Sequence, residues 1–126
     1  FQCVLPLQQA DDGLRALLSA IASAGAGSFL AVLKRFGAQE SRFSFPMEGY
    51  TLALDFPINA TTLALMEHLD SITVQHGGRF YLAKDGRMSR DVFQQSEARA
   101  QDYLSYRNTE SASAAFSSAQ SERLGL

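Results

Sequence analysis

The spacing of apolar residues predicts strands and helices that alternate along the N-terminal part of the chain. Residues 1–6 are typical of a strand that ends at Pro6, because proline has no amide hydrogen to continue a ladder. A helix follows, with apolar residues at helical spacing until the glycines at 25–27 stop it. Residues 28–36 form a short run between glycines, which favours a second strand.

The same alternation returns in the middle of the chain. Tyr50 to Phe56 alternates bulky residues with small or polar ones and is the clearest strand. A second helix is predicted over 59–75 and a fourth strand over 79–83. The order strand, helix, strand, strand, helix, strand predicts an α+β fold of the ferredoxin-like type. In such a fold an antiparallel sheet of about four strands carries both helices on one face.

The C-terminal part predicts additional helices. Ser89 is a candidate N-cap and Asp91 suits a first helical turn, either of one helix or of two helices with a break between them. From residue 108 onward serine and alanine dominate, and either a docked helix or a loose tail fits residues 108–126.

The length, charge balance and cysteine content of the chain then exclude several classes of function. The 126 residues, 46% of them hydrophobic, are enough for a single domain with one core. Eleven basic against thirteen acidic residues leave no positive excess for binding a nucleic acid. Cys3 is the single cysteine, and His68 and His76 lack ligand-spaced partners, so we expect neither an internal disulfide nor a metal site. Glu67 and Asp70 are interpreted as ordinary charges on a helix surface.

If both helices cover one sheet face, alternation assigns a second set of side chains to the opposite face. The set comprises Gln2 and Val4 on the first strand, Val32, Lys34 and Phe36 on the second, and Thr51, Ala53 and Asp55 on the third. Small, aromatic and separated polar side chains in this mixture are typical of a binding wall. A solvated sheet face with scattered polar residues has the same pattern.

Lys84 allows two interpretations as well. It follows the aromatic run at 80–83 and precedes Asp85. One interpretation is a partly desolvated cation that stabilises developing negative charge. The other is a strand-end lysine that lays its stem on apolar surface and pairs with Asp85. Spacing alone favours the second interpretation.

Several sequence blocks carry a resemblance to a known family. They are LKRFG at 33–37, SFPMEGY at 44–50, LDFP at 54–57, GGRFYLAKD at 77–85, and the closing Phe116 with RLGL at 123–126. Together they resemble the C-terminal substrate domain of FAD-linked oxidases of the decaprenylphosphoryl-β-D-ribose oxidase type. These enzymes are flavoproteins of the vanillyl-alcohol oxidase class.

The resemblance implies that residues 1–126 are one domain, the substrate (cap) domain of a larger FAD-dependent oxidoreductase, and that the FAD-binding domain is not part of this sequence. Enzymes of this type oxidise the 2′-hydroxyl of a polyprenylphosphoryl ribose, and a partner reductase then forms the arabinose epimer. The chain by itself is expected to be inactive. A cytoplasmic location or a peripheral one at a membrane surface is favoured, although the sequence leaves the compartment open.

The resemblance also assigns roles to individual residues. Lys84 corresponds to the lysine that reaches the flavin and the substrate, and it is the expected catalytic residue. Tyr81 corresponds to a tyrosine near the cofactor. The positions that line the substrate pocket are Gln2, Val32, Lys34, Phe36, Thr51 and Ala53.

The chain departs from the family pattern at three places. Ala53 stands where mycobacterial members have a cysteine that covalent inhibitors trap, so we expect no covalent capture. An Asp-Pro pair expected near 111–112 and an aspartate expected at Ala119 are absent, which questions the docking of the last helix and the identity of the substrate.

Two alternatives stay open: a free-standing ferredoxin-like module that binds a ligand or protein without catalysis, and a flavoenzyme domain that acts on a sugar lactone or another small alcohol.

Overall fold

The strands form one four-stranded antiparallel sheet in the order β2–β3–β1–β4. The computed structural model describes residues 1–40, 43–109 and 116–126. The strands are β1 (Gln2–Pro6), β2 (Ala31–Phe36), β3 (Gly49–Leu54) and β4 (Arg79–Phe80); the helices are α1 (Ala10–Ser23), α2 (Ala60–Gln75), α3 (Arg90–Ser96), α4 (Ala100–Thr109) and α5 (Ala119–Leu124). Because α1 follows β1 and α2 follows β3, the topology is a split βαβ, and the predicted α+β class is confirmed.

The two helices of this unit cover one face of the sheet. That face carries the buried side chains Cys3, Leu5, Leu52, Leu54 and Phe80, which join Leu17 of α1 and Leu69 of α2 in a single core. The α2 helix begins with a capping box, in which the Asn59 side chain accepts from the amide of Thr62 and the Thr62 hydroxyl accepts from the amide of Asn59. The predicted N-terminus of this helix is therefore confirmed.

The fourth strand is much shorter than predicted. Only Arg79–Phe80 are paired as a strand, and a 3₁₀ turn at Leu82–Lys84 replaces the rest of the run. The amide of Tyr81 still donates to the carbonyl of Gln2 at 3.0 Å, and the amide of Lys84 then closes onto the carbonyl of Tyr81 at 2.9 Å. Hydrogen bonds within the turn and one from a side chain of α5 thus pair the backbone amides and carbonyls that a longer strand would have paired with β1. We call Leu82–Lys84 the lysine turn.

Strand β3 also ends earlier than predicted, at Leu54. The amide of Asp55 donates to the hydroxyl of Ser28 at 2.9 Å and to the carbonyl of Leu30 at 3.3 Å. Phe56 lies beyond the strand and packs partly buried against the core. The chain therefore leaves the sheet at the point where it meets the start of β2.

The C-terminal region contains two helices with a break between them and a third that is docked. Helix α3 ends at Ser96 and α4 begins at Ala100, which confirms the two-helix alternative. Helix α5 is capped by Ser118 and buries Leu124 completely, so the loose-tail alternative is wrong for residues 116–126. It begins at Ala119 without the aspartate of the family pattern. Positions 111–112 lie outside the described residues.

No helix among those described is long and apolar enough to cross a bilayer.

Gly49 generates a testable prediction about the sheet. It pairs with Pro6 on one side and Phe36 on the other, and a Cβ atom there would lie 1.9 Å from the carbonyl oxygen of Leu5. Because a backbone oxygen cannot move away cheaply, Gly49→Ala should lower the free energy of unfolding by about 1–3 kcal/mol or more. Urea unfolding followed by circular dichroism measures the change. Gly37→Ala is the matched control, since a Cβ at Gly37 meets nothing within 4 Å; equal effects of the two substitutions would contradict the prediction.

Candidate functional site

Strand register places all six predicted substrate-pocket residues on the sheet face opposite the core. Directly paired residues of antiparallel strands project to the same side. Val32, Ala53 and Gln2 form one row across β2, β3 and β1, and Lys34 pairs with Thr51 in the next row. The six residues, which we call the site face, are Gln2, Val32, Lys34, Phe36, Thr51 and Ala53.

The row of Gln2, Val32 and Ala53 is partly exposed, whereas the next row is covered at its centre. Val4 and Thr51 have exposed fractions of 0% and 1%. The Phe45 ring lies edge-on to Phe36 at 5.9 Å and contacts Tyr81 at 5.0 Å, so the segment 43–47 passes over this part of the sheet. A ligand on the site face therefore meets the first row, around Ala53, before any other.

The buried Thr51 hydroxyl holds the side chain of Gln2 in place. The Thr51 hydroxyl donates to the carbonyl of Cys3 at 2.8 Å and accepts from the side-chain amide of Gln2 at 3.2 Å. This bond fixes the orientation of the Gln2 carboxamide. In the part of the chain that the structure describes, the Gln2 Oε1 oxygen has no hydrogen-bond donor and is available to a ligand.

The segment that covers the sheet is held by an arginine–glutamate cluster. The carbonyl of Ser44 accepts from Arg99 at 2.7 Å and from Arg79 at 3.3 Å. Glu97 accepts from Arg99 at 2.6 Å and lies 3.9 Å from Arg79. Burial lowers the pKa of the Arg79 guanidinium, which is still charged at neutral pH. The cluster thus ties β4 and the α3–α4 break to the segment that carries Phe45.

A cavity of about 520 Å³ opens beside the first row of the site face. It brings together three of the predicted residues, which are Gln2, Tyr81 and Lys84, with Asp55 and Arg87 on other walls. The remaining predicted residues, Val32, Lys34, Phe36, Thr51 and Ala53, do not line this cavity. They belong to the adjoining sheet surface.

Lys84 ends the lysine turn with an exposed side chain. Its ammonium makes no ion pair or hydrogen bond within the described ranges. The predicted pairing with Asp85 is wrong, because the Asp85 carboxylate binds Arg123 at 2.8 Å instead. An unpaired ammonium at the rim of a cavity is suited to stabilise negative charge that develops on a bound molecule.

The cavity floor is closed by a buried ion pair that the sequence did not predict. Arg87 makes two parallel bonds to Asp70, of 2.6 Å and 2.8 Å, and its guanidinium also lies 3.4 Å from the carbonyl of Met66. The Asp70 side chain is only 3% exposed, so its interpretation as a helix-surface charge is wrong. Two residues this far apart in sequence give no spacing signal. The bidentate geometry ties α2 to the loop that follows the lysine turn.

Asp55 was assigned by alternation to the same face as Ala53, but the resemblance gave it no role. It directly follows the last residue of β3 and lines the cavity with Lys84. Its carboxylate has no partner among the residues described, while its backbone is fixed by Ser28. The cavity therefore offers an ammonium to stabilise an alkoxide and a carboxylate to accept a proton.

The polar groups around the cavity have the hydrogen-bonding chemistry that the edge of a flavin ring would need. Lys84, Tyr81 and Gln2 provide an ammonium, a phenol and a carboxamide, which suit the oxygen and nitrogen atoms of such a ring. The described residues contain no group of three or more histidine, cysteine or acidic side chains that would hold a metal.

Comparison with known proteins supports the resemblance. The chain is 31% identical over 127 aligned residues, its full length, to decaprenylphosphoryl-β-D-ribose oxidase of Mycolicibacterium smegmatis. It is 35% identical over 118 residues, 92% of its length, to an uncharacterized protein in the mprA 5′ region of Streptomyces coelicolor. The chain spans 27% and 32% of the lengths of these two proteins. No family model matches it. The predicted resemblance to this type of oxidase is confirmed.

The open row of the site face predicts the accessibility of a new thiol. Cys3 is fully buried, and desolvation raises the pKa of its thiol to about 11, so it should not react with maleimide in the folded chain. Ala53→Cys should react rapidly, and mass spectrometry of the labelled chain measures the rate. Leu33→Cys, on the opposite face and 55% exposed at the sheet edge, is the positive control. An Ala53→Cys variant that stays unlabelled while Leu33→Cys reacts would show that the row is covered.

Asp85 predicts a component of stability that acid removes. Burial alone raises the pKa of its carboxyl, but the hydrogen bonds from the Met88 amide, from Arg123 and from the Arg87 amide outweigh burial, and the net pKa lies below its ordinary value. Such a group stabilises the fold above its unfolded pKa, about 3.9, and this stabilisation is lost as the pH falls through the folded pKa.

We therefore expect Asp85→Asn to lower the free energy of unfolding at neutral pH and to have a much smaller effect near pH 2. Urea unfolding at a series of pH values measures the difference from the wild-type chain. Asp11→Asn, in an exposed pair with Arg15, is the control and should have little effect at any pH. A difference for Asp85→Asn that does not shrink in acid would contradict the assignment.

Proposed function

We propose that the chain is the substrate-binding domain of an FAD-dependent oxidoreductase that oxidises a sugar hydroxyl. The proposed substrate is the 2′-hydroxyl of a polyprenylphosphoryl ribose. The similarity over the whole chain to a decaprenylphosphoryl-β-D-ribose oxidase supports this proposal. The observation that carries it is the unpaired ammonium of Lys84, which faces the same cavity as Gln2 and Tyr81.

FAD, held by the nucleotide-binding domain of the same parent protein, would supply the acceptor for a hydride from the carbinol carbon. Lys84 would stabilise the negative charge that develops on the oxygen as the hydroxyl proton moves to a base, for which the Asp55 carboxylate is available, before or as the hydride leaves. Gln2, held by Thr51, orients the sugar through its free Oε1 oxygen. The phenol of Tyr81, whose ring is supported by Phe45, would donate a hydrogen bond to the bound flavin.

The site face supplies the surface on which the sugar lies. Val32 and Ala53 are small or branched and leave room beside Gln2, while Lys34 presents a second cation at the edge strand. A cation there suits the phosphate of a lipid-linked sugar. The partners that follow from this function are the FAD-binding domain, the lipid-phosphate sugar and a reductase that consumes the ketone, and the lipid tail suggests work at a membrane surface.

Removal of the Lys84 ammonium is the direct test. In the parent flavoprotein, Lys84→Ala should lower kcat for a polyprenylphosphoryl ribose by about 10²–10³-fold, the scale for loss of one electrostatic stabiliser. Flavin absorbance measures FAD content, and it should be retained. Arg15→Ala, on the exposed side of α1, is the control and should leave turnover unchanged.

Three results would redirect the proposal. Unchanged turnover in Lys84→Ala with full FAD content would remove Lys84 from the reaction. Turnover of sugar lactones or small alcohols but not of the ribosyl lipid would change the substrate. A parent protein that binds no flavin would favour a ligand-binding module without catalysis.

A further inference from the structure

Asp85, the residue next to Lys84, has a carboxylate that is fully engaged elsewhere. One oxygen accepts from the Arg123 guanidinium at 2.8 Å. The other accepts from the amide of Arg87 at 3.1 Å and from the amide of Met88 at 2.9 Å. Both oxygens therefore have partners, and neither partner set includes the neighbouring ammonium.

The arginine that holds this carboxylate comes from α5, the last helix of the chain. The same helix is hydrogen-bonded to the lysine turn and to the residue after it. The side-chain amide of Gln120 donates to the carbonyls of Leu82 at 2.7 Å and Asp85 at 3.1 Å. Arg123 also donates to the carbonyl of Met88. Helix α5 thus fixes the backbone on both sides of Lys84.

We propose that Arg123 is a positioning residue for Lys84. By holding the carboxylate of Asp85, it keeps the adjacent ammonium unpaired and available to the cavity. The catalytic meaning of this inference rests on the function proposed above, whereas the competition between two cations for one carboxylate is a property of the chain alone.

The surroundings of Lys84 make Asp85 the carboxylate that this competition concerns. The other charged groups that face the cavity are Asp55, the Asp70–Arg87 pair and the amino group of Phe1. Asp70 is occupied by its arginine, and Asp55 lines the same cavity without forming an ion pair with Lys84. Asp85 is adjacent to Lys84 along the chain. When Arg123 is removed, the Asp85 carboxylate loses its guanidinium partner, and an exposed ion pair with Lys84 becomes possible.

The composition of the chain permits a clean test, because Lys34 and Lys84 are its two lysines. Amine-reactive labelling followed by peptide mass spectrometry gives the ratio of their rates, with Lys34 as the internal reference. Only the neutral amine reacts, so pairing with a carboxylate slows labelling. Arg123→Gln should lower the Lys84 to Lys34 ratio by about two- to fivefold, the range that exposed ion pairs allow.

Matched variants separate this effect from loosening of α5. Arg90→Gln removes a bond to the carbonyl of Glu122 in α5 without touching Asp85, and its ratio should stay at the wild-type value. The double variant Arg123→Gln with Asp85→Asn should restore the ratio. Asp85→Asn alone should leave it unchanged, which keeps the test valid if Arg123→Gln fails to fold.

An unchanged ratio in folded Arg123→Gln, or a raised ratio in Asp85→Asn, would overturn the inference. A lowered ratio that the double variant does not restore would assign Arg123 a purely structural role and overturn it as well. None of these measurements uses flavin or substrate, so their failure is distinct from failure of the proposed function. In the parent flavoprotein, kcat should fall in Arg123→Gln with FAD content retained.

Discussion

The structure depends on the antiparallel pairing of β1 with its two neighbours. β1 lies between β3 and β4, and successive side chains along it alternate between the core and the site face. Cys3 and Leu5 enter the core, while Gln2 faces the cavity. A shift of this register by one residue would exchange the two sets completely. The hydrophobic requirement of the core therefore also determines which polar groups reach the site.

Around this sheet, three charged contacts hold the irregular segments that complete the site. Arg87 with Asp70 ties the loop after the lysine turn to α2, and Arg123 with Asp85 ties the same loop to α5. The Arg99–Glu97 pair fixes the segment 43–47 through the carbonyl of Ser44. These segments bury Met88 and pack Phe43 against the core, and the paired charges with their several hydrogen bonds add to that packing. Lys84 is left outside all three pairs.

The sequence predicted the features that depend on local pattern. The alternation in β2 and β3 placed Val32, Lys34 and Ala53 on one face before any register was known, and the apolar spacing predicted α2 close to its observed bounds. The shortened fourth strand was missed because its apolar run satisfies strand periodicity, whereas a side chain of α5 and the turn's own bonds decide its conformation.

Contacts between distant residues gave no such signal. The Asp70–Arg87 and Asp85–Arg123 pairs join residues 17 and 38 positions apart. Nothing in the spacing of these charges distinguishes them from solvated ones. The coverage of Thr51 by Phe45 also depends on how a loop returns to the sheet. That aromatic side chain has a consequence for molecular size: with Thr51 shielded, a molecule wide enough to spread over both rows would first have to displace Phe45 from between its two neighbouring rings.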